Sequence, residues 1–318
     1  MPLTTMAVVN PTSAGGRTAR VWPELRRALA GAGVDVEERL TAGPLEAVEL
    51  TRQALRSGCE RVVAVGGDGT LNEVLNGFFH AGGEAVAPGA VLGLLPSGTG
   101  GDFRRTAGIP TAAAAAVAVL AAEAWRRVDV GRLVLDSPPS GGLGRRHFIN
   151  IADCGIGGEV VARVNRSSRR AGGTATFLWH SLASLLRYRA RAARVEIDGQ
   201  AVEGRFQNVV IANGRYFGGG MCVAPGADCA DGLFDVVLFG DLSRLRSLTG
   251  IRRIYAGSHL GTPGVSLCRG RTVRVTPLGD APLQFEMEGE EVGPAPATAT
   301  LLPGAVRLAV PPSGAARR

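Results

Sequence analysis

The sequence predicts an α/β protein in two parts: a first domain over residues 1–130 built on a mainly parallel sheet, and a β-rich, sandwich-like second domain over residues 131–299. Three observations predict this fold class. Up to about residue 130, short apolar runs alternate with helix-compatible segments, which is the pattern of βαβ units. Beyond that point strand-like runs dominate. The length of 318 residues, of which 45% are hydrophobic and 20% charged, suits two globular domains.

The first domain contains four strand–helix pairs. Its strands are predicted at 6–9, 34–40, 61–65 and 91–95, and its helices at 17–30, 45–57, 71–80 and 111–125. In sheets of this kind, ligands bind in the crevice at the carboxyl ends of the strands. The loops that follow these strands are therefore the first candidates for chemistry.

The second domain follows residues 137–144 (SPPSGGLG), whose Pro, Gly and Ser content predicts a linker or an exposed hairpin. Its strands are predicted at 146–151, 193–197, 206–211, 233–239, 271–276, 283–287 and 307–310. Two or three helical stretches interrupt them. One of these stretches, 177–194, is amphipathic with arginines near its end, and it either packs on its own domain or rests on an anionic bilayer.

Composition excludes several kinds of protein. All 35 Lys+Arg residues are Arg, which excludes a Walker A loop, a Schiff-base enzyme and the lysine-dependent chemistry of protein kinases. The net charge of +7 is compatible with nucleic acid, an anionic membrane or a phosphorylated ligand. Because the arginines are dispersed and only 5% of residues are aromatic, we expect no nucleic-acid binding.

Cysteine usage and hydropathy predict the compartment. The five cysteines are odd in number and form no CxxC pair, which predicts reduced thiols rather than a disulfide framework or a zinc site. No apolar run reaches the roughly 18 residues needed to cross a bilayer, and the first residues lack the features of a secretory signal. We therefore expect a cytoplasmic protein without a transmembrane segment, whose membrane contact is peripheral at the inner membrane surface.

The strongest motif is Gly66-Gly67-Asp68-Gly69-Thr70, which joins a buried strand to a helix. Glycines let the backbone approach a ligand closely, and a helix N-terminus presents N–H groups and a partial positive charge to phosphate. Asp68 repels phosphate unless a cation lies between them, so a bound nucleotide implies Mg²⁺. The alternative interpretation is a tight turn in which Asp68 or Thr70 caps the helix.

Two further loops of small residues follow other strands of the same sheet. Residues 10–16 (NPTSAGG) lie between the first strand and the first helix, and residues 94–102 (LLPSGTGGD) follow the fourth strand. Each alone is compatible with an ordinary βα turn. Three such loops at the carboxyl ends of one sheet predict a single phosphate-binding site.

The motifs NPTSAGG, GGDGTLNEVLNG and LPSGTGGDF together resemble the diacylglycerol kinase catalytic domain of bacterial lipid kinases. That family includes sphingosine and ceramide kinases and shares its fold with NAD kinases. NVVIA at 208–212, PGADCADGLFDVV at 225–237 and EGE at 288–290 match family positions farther along, so the resemblance covers nearly the whole chain. It also implies that a final strand within 300–312 completes the first domain.

The resemblance implies an ATP site and a structural Mg²⁺ site. The ATP-binding positions that it implies are Asn10, Pro11, Thr12, Ser13, Ala14, Thr41, Gly66, Gly67, Asp68, Gly69, Thr70, Leu71, Asn72 and Thr99. The Mg²⁺ ligands that it implies are the carbonyl groups of Asp228 and Leu233 and the carboxylate of Asp231. Without the family, Thr41 is a loop hydroxyl that caps the next helix, and Asp231 begins a plain hairpin turn.

Two carboxylates are candidates for the general base. The family motif Asp-Gly-Glu corresponds to Glu288-Gly289-Glu290, which gives Glu290 the base position. In sphingosine-kinase relatives the aspartate of the GGDG loop is favoured, which corresponds to Asp68, so we keep both with Glu290 ahead. A carboxylate there accepts the hydroxyl proton during phosphoryl transfer. The alternative is an acidic exposed turn formed by Glu288, Glu290 and Glu291.

The function implied by the resemblance is an ATP- and Mg²⁺-dependent lipid kinase that converts diacylglycerol to phosphatidic acid. The alternatives are a kinase of another acceptor, such as a sphingoid or ceramide-type lipid or NAD, and a nucleotide-binding regulatory protein with little turnover. Gly101 replaces the Asn of the family's GTxND motif, Glu288 replaces Asp, and Ala14 stands where Gly is common. The expected partners are ATP and a lipid at a membrane surface, and family members are often homodimers.

Overall fold

The computed structural model describes residues 3–97, 101–139, 144–159 and 188–312. The chain divides into two compact units, which we call unit 1 and unit 2. Unit 1 contains Met1–Val130, Cys229–Asp231 and Leu302–Arg318, and unit 2 contains Gly131–Asp228 and Gly232–Leu301. Among the described residues, every helix is too short or too polar to span a lipid bilayer.

Unit 1 is a parallel sheet with helices between its strands. Its elements are β1 (Thr5–Val9), α1 (Ser13–Gly31), β2 (Glu37–Leu40), α2 (Glu46–Arg56), β3 (Arg61–Gly66), α3 (Asp68–Gly77), β4 (Val91–Pro96), α4 (Asp102–Ala107) and α5 (Ala113–Ala121). The strand order is β4-β3-β1-β2, with every pairing parallel. Strands β1 and β3 are buried throughout, which explains their unbroken apolar sequences.

Unit 2 is built from antiparallel strands. Its elements are β5 (Trp125–Leu135, which begins in unit 1), β6 (Arg145–Phe148), β7 (Ile151–Gly155), β8 (Arg191–Ile197), β9 (Gln200–Ala212), β10 (Tyr216–Phe217), β11 (Met221–Cys222), β12 (Phe234–Gly240), α6 (Arg244–Tyr255), β13 (Val265–Gly270), β14 (Thr272–Pro277), β15 (Gln284–Met287), β16 (Glu290–Pro294) and β17 (Ala297–Ala309). Strand β9 is the central strand, because it pairs with β7, β8 and β12.

Strand β17 contributes to both units along its 13 residues. Residues 297–300 pair antiparallel with β14 in unit 2, and Arg307 and Leu308 pair in parallel with β4 in unit 1. The strand is therefore longer than the predicted 307–310 run.

The structure confirms the predicted fold class, a parallel α/β sheet followed by a β-rich body, and corrects several boundaries. The predicted helix at 111–125 ends at Ala121, because Glu123 has a left-handed backbone (φ +48°) and Trp125 already starts β5. Strands β5 and β6, which precede and follow the predicted linker or hairpin at 137–144, pair antiparallel, and residues 140–143 lie outside the described residues. Residues 160–187, and with them most of the amphipathic stretch 177–194, lie outside the described residues.

Candidate functional site

The three predicted loops of unit 1 meet at the carboxyl end of its sheet. The hydrogen-bond ladder continues just past the strands: Asn10 N donates to Val65 O (3.1 Å), and Ser97 N donates to Gly66 O (3.1 Å). These two bonds place the loops after β1, β3 and β4 side by side, as expected for parallel strands.

Asn10 ties the first loop to the second. Its Oδ1 accepts the backbone N–H of Thr12 (3.1 Å) and the Thr12 hydroxyl (2.8 Å), which forms an Asx turn. Its Nδ2 donates to the hydroxyl of Thr70 (3.2 Å) in the second loop. Thr70 is buried, and a Cβ at Gly66 would overlap its side chain, so Gly66 is required for this approach.

A second polar contact connects the first and third loops. The hydroxyls of Thr18 and Ser97 lie 2.6 Å apart, both residues are buried, and the Thr18 hydroxyl also donates to Ser13 O (3.2 Å). Because buried hydroxyls need partners, this pair fixes the start of α1 against the end of β4.

The first loop enters α1 through a left-handed turn. Ala14, Gly15 and Gly16 have φ values of 53°, 64° and 83°, and Gly16 N donates to Thr12 O (3.1 Å). This conformation is easy for glycine and costs about 1–2 kcal/mol for alanine. The structure therefore explains why Ala14 is an unusual residue at this place.

Asp68 links the second loop to the third. Its Oδ2 accepts the backbone N–H groups of Gly101 (3.1 Å) and Asp102 (2.9 Å). Its Oδ1 is buried and has no hydrogen-bond partner among the described residues. Gly101 has a left-handed backbone (φ +93°), which Asn also tolerates, so the replacement of the family's Asn preserves the local conformation.

Arg104 on α4 is a cation that interacts with the charge of this carboxylate and that the sequence analysis missed. Burial, together with the neighbouring Arg105, lowers the pKa of its guanidinium, while the charges of Asp68 and Asp102 act in the opposite direction. Its Nε is buried without a partner among the described residues. Helix α4, which follows the third loop, thus supplies a partly desolvated guanidinium whose charge interacts with that of Asp68.

The remaining predicted nucleotide positions differ in their surroundings. Thr41 follows β2, is buried, and donates its backbone N–H to Val9 O (2.9 Å), which places it beside Asn10. Leu71 is in the core and its backbone N–H donates to Gly67 O (3.0 Å), so neither group is presented to a ligand. Asn72 is also buried and accepts hydrogen bonds from Asn76. Thr99 lies outside the described residues.

In unit 2, Glu288 and Gly289 form the two-residue turn between β15 and β16. Their φ values are 55° and 84°, and Met287 pairs with Glu290 on either side. Two successive left-handed residues are the geometry of a type I′ hairpin, in which Asp-Gly or Asn-Gly is the usual sequence. The turn therefore accepts Glu at a position where Asp is the more common residue.

Side chains on both sides of this turn are held in place. Glu288 accepts the backbone N–H groups of Ile149 (2.9 Å) and Asn150 (2.8 Å). Glu290 forms an ion pair with Arg146 (2.5 Å), whose side chain is 13% exposed against 42% for Glu290. Of the three glutamates predicted as an alternative to form an exposed acidic turn, only Glu291 is exposed.

Two buried carboxyl groups lie next to this turn. Asp153 on β7 and Glu286 on β15 are directly paired across the sheet, and both are buried. Burial raises the pKa of Asp153 to about 6, and burial and the charge of Asp153 raise the pKa of Glu286 well above its usual value. We therefore expect the two groups to share a proton. Glu286 also accepts the N–H of Gly289 (2.9 Å).

The predicted Mg²⁺ ligands Asp228, Asp231 and Leu233 lie in the segment that leads into β12. Both aspartates are exposed and Leu233 is half-buried. Carbonyl and carboxylate oxygens suit a hard cation that keeps part of its water shell, so the chemistry of this donor set fits Mg²⁺. Among the described residues there is no cluster of three or more His, Cys, Asp or Glu side chains that could hold a metal.

Several residues of these sites were missed from the sequence. Asp153 and Glu286 each interrupt an otherwise strand-like apolar run, whereas Arg146 directly precedes one. A charged residue at such a position was the available signal, because buried charges need partners. Their partners follow only from the register of the strands.

Comparisons with known proteins agree with this architecture. The model of the diacylglycerol kinase catalytic domain matches residues 4–133, and the model of the YegS C-terminal NAD kinase beta sandwich-like domain matches residues 150–310. A "Probable lipid kinase YegS-like" of Pseudomonas fluorescens (strain Pf-5) is 30% identical over 96% of this chain and 95% of its own length. A "Diacylglycerol kinase" of Mycobacterium tuberculosis (strain H37Rv) is 30% identical over 97% of this chain and 95% of its own.

Solved structures share the fold. A structure from Bacillus anthracis strain Sterne superposes with a TM-score of 0.78 at 21% identity, covering 98% of this chain and 97% of the other. The crystal structure of a diacylglycerol kinase from the same strain gives a TM-score of 0.69 at 21% identity, with coverages of 98% and 97%.

The fold and the two matching domains define the class as kinases with a diacylglycerol-kinase-type catalytic domain. Within that class, the chain belongs to the family of lipid kinases in which this domain is followed by the YegS C-terminal domain.

Proposed function

We propose that this lipid kinase uses ATP and Mg²⁺ and transfers the γ-phosphoryl group of ATP to the hydroxyl of diacylglycerol, which yields phosphatidic acid. The observation that carries the proposal is the meeting of three loops around Asp68, whose buried Oδ1 has no partner among the described residues. Relatives named as diacylglycerol kinases support this choice of acceptor.

In this proposal the first and second loops bind the phosphates of ATP. The start of α3, just after Gly67, offers backbone N–H groups at the positive end of the helix dipole. The left-handed turn at 14–16 adds further N–H groups on the first loop. Thr41 and Asn10, which lie beside each other at the ends of β2 and β1, complete the predicted set around the nucleotide.

Asp68 and the 228–233 segment are the proposed holders of cations. Since Oδ2 of Asp68 already accepts two backbone N–H groups, Oδ1 is the atom left for a nucleotide-associated Mg²⁺. Asp228, Asp231 and Leu233 are the proposed ligands of a structural ion. When bound, Mg²⁺ would withdraw negative charge from the phosphoryl oxygens.

Glu290 is the proposed general base. The acceptor's hydroxyl oxygen bonds to the γ-phosphorus, the bond from that phosphorus to the β,γ-bridging oxygen breaks, and the hydroxyl proton goes to the Glu290 carboxylate. Arg146 holds this carboxylate in one orientation through their ion pair. Glu288 and Glu286 fix the turn on which Glu290 stands.

The test is transfer of label from γ-labelled ATP, with Mg²⁺, to micellar diacylglycerol, monoacylglycerol, ceramide, sphingosine and undecaprenol, with NAD as a soluble acceptor. Glu290→Gln and Asp68→Asn are the test variants. Glu291→Gln and Asp280→Asn, which alter exposed carboxylates with the same charge change, are the matched controls.

We expect labelled phosphatidic acid with the wild type and both controls. Loss of a general base costs roughly 10²–10⁴-fold in rate, so Glu290→Gln should be slower by at least about a hundredfold. Asp68→Asn should also be slower, because it removes the carboxylate proposed to hold the nucleotide-associated Mg²⁺. A labelled product from another lipid would correct the acceptor, and labelled NAD alone would contradict lipid kinase activity. If the protein binds ATP but transfers phosphate to no acceptor, the kinase proposal is refuted and a nucleotide-binding regulatory function is favoured.

A further inference from the structure

Helix α6 (Arg244–Tyr255) is a largely exposed helix of unit 2. Ser243 caps it by accepting the N–H of Arg246 (3.4 Å), and Ser247 is its only buried residue. The Ser247 hydroxyl donates to Gln207 on β9 (3.0 Å), which attaches the inner side of the helix to the sheet. The opposite side faces solvent.

The solvent side carries unbalanced positive charge. Arg244, Arg246, Arg252 and Arg253 are all exposed. Residues 242–279 contain seven arginines and no Asp or Glu. Of these seven, Arg269 pairs with Asp235 (2.7 Å) and Arg274 with Asp136 (2.6 Å).

In contrast, the four arginines of α6 form no ion pair with any residue that the structure describes. Four permanent charges on three turns of helix produce a strong local positive potential, because the carboxylate nearest in sequence, Asp241, is already paired with Arg205. Such a surface favours a dense array of anions over a single acidic side chain.

Apolar side chains stand among these charges. Leu245 is 71% exposed, which is the largest value among the big hydrophobic side chains of the described chain, and Tyr255 is 46% exposed. Leu245, Thr249 and Arg252 follow one another at helical spacing on the outward face. An exposed Leu and Tyr among arginines match the boundary between lipid head groups and acyl chains, where aromatic rings and basic residues are enriched.

We propose that the outward face of α6 docks the protein on an anionic lipid surface, with the arginines against the phosphates and Leu245 inserted among the head groups. The purpose of this contact rests on the proposed function, because a lipid acceptor is presented by such a surface. A nucleic acid also attracts arginines, but the helix offers a single aromatic ring for stacking.

The experiment is co-sedimentation of the full chain with two kinds of vesicle. One contains phosphatidylcholine alone, and the other also contains about 30% phosphatidylglycerol, which makes its surface strongly negative. The test variants are Arg252→Gln/Arg253→Gln and Leu245→Ser. The matched control is Arg27→Gln/Arg56→Gln, which removes the same charge from two exposed helical positions of unit 1. Neither arginine forms an ion pair with a residue that the structure describes.

We expect the wild type to bind the anionic vesicles and to release them with increasing salt. Each basic residue close to an anionic surface contributes about fivefold to binding, so the double variant of α6 should bind about thirty-fold more weakly. The control should change binding about twofold or less, since its two arginines are not part of the helix that is proposed to dock. Leu245→Ser should weaken binding without changing its salt dependence.

Equal binding of the two double variants would overturn the proposal, as would equal binding to vesicles with and without phosphatidylglycerol. Binding to a single-stranded oligonucleotide in place of vesicles would also overturn it. Phosphorylation of a short-chain, water-soluble diacylglycerol separates this inference from the proposed function. If Arg252→Gln/Arg253→Gln keeps full activity on that substrate but no longer binds vesicles, the docking proposal is supported. If the wild type binds vesicles but has no kinase activity, the proposed function alone is refuted.

Discussion

Replacing Asp153 with Asn tests whether the buried carboxyl pair holds a proton. Burial raises the pKa of Asp153 from 3.8 to about 6. The folded chain therefore keeps this proton over a pH range in which the unfolded chain has released it. The resulting stabilisation is fully present below about pH 4 and is lost as the pH rises through 6. The difference between the two pKa values corresponds to about 3 kcal/mol of unfolding free energy.

The assay is urea unfolding of the wild type and Asp153→Asn at intervals from pH 4 to pH 8. The new amide does not titrate, and it can donate a hydrogen bond to Glu286. We therefore expect the wild type to lose about 3 kcal/mol relative to the variant between pH 4 and pH 7. Asp280→Asn, which removes an exposed carboxylate, should follow the wild type. Parallel curves for the wild type and Asp153→Asn would refute the shared proton.

Three further substitutions test other features. Burial and two nearby arginines lower the pKa of His147 to about 4, so the stability it contributes is present above pH 6.5 and is lost as the pH falls toward 4. His147→Gln should remove this acid sensitivity, measured as Tm between pH 4 and pH 7. Ala14→Gly should raise the unfolding free energy by about 1 kcal/mol, because glycine adopts the left-handed turn without strain. Glu288→Ala should lower it by about 2 kcal/mol through the loss of two charged hydrogen bonds, whereas Glu291→Ala should not.

The alternation of strands and helices in unit 1 could be predicted from the sequence, because parallel strands that are buried on both faces have unbroken apolar sequences. The three loops around Asp68 were predicted for the same reason, since each directly follows such a run. The helix boundary at Ala121 was not predicted, because Ala122, Glu123 and Ala124 are all residue types that favour a helix. The left-handed Glu123 that ends it is an uncommon conformation for that residue.

The contacts in unit 2 were beyond prediction from one sequence. Asp153 and Glu286 lie 133 positions apart, and Arg146 and Glu290 lie 144 positions apart. Each pair depends on strand register, and a shift by one residue would point these side chains to the opposite face. The hydrogen bonds that Glu288 accepts from Ile149 and Asn150 depend in the same way on where the turn meets these residues.

The dual membership of β17 has a consequence for biosynthesis. Residues 307 and 308 pair with β4, whose sequence VLGLLP is almost entirely buried in the finished protein. A nascent chain that has emerged only as far as residue 130 thus presents β4 as an apolar sheet edge, which is a template for intermolecular pairing. Synthesis at about 5–20 residues per second leaves this edge uncovered for some ten to forty seconds before the last strand arrives. A chaperone that covers the exposed edge of β4 during this interval should therefore improve the yield of folded protein.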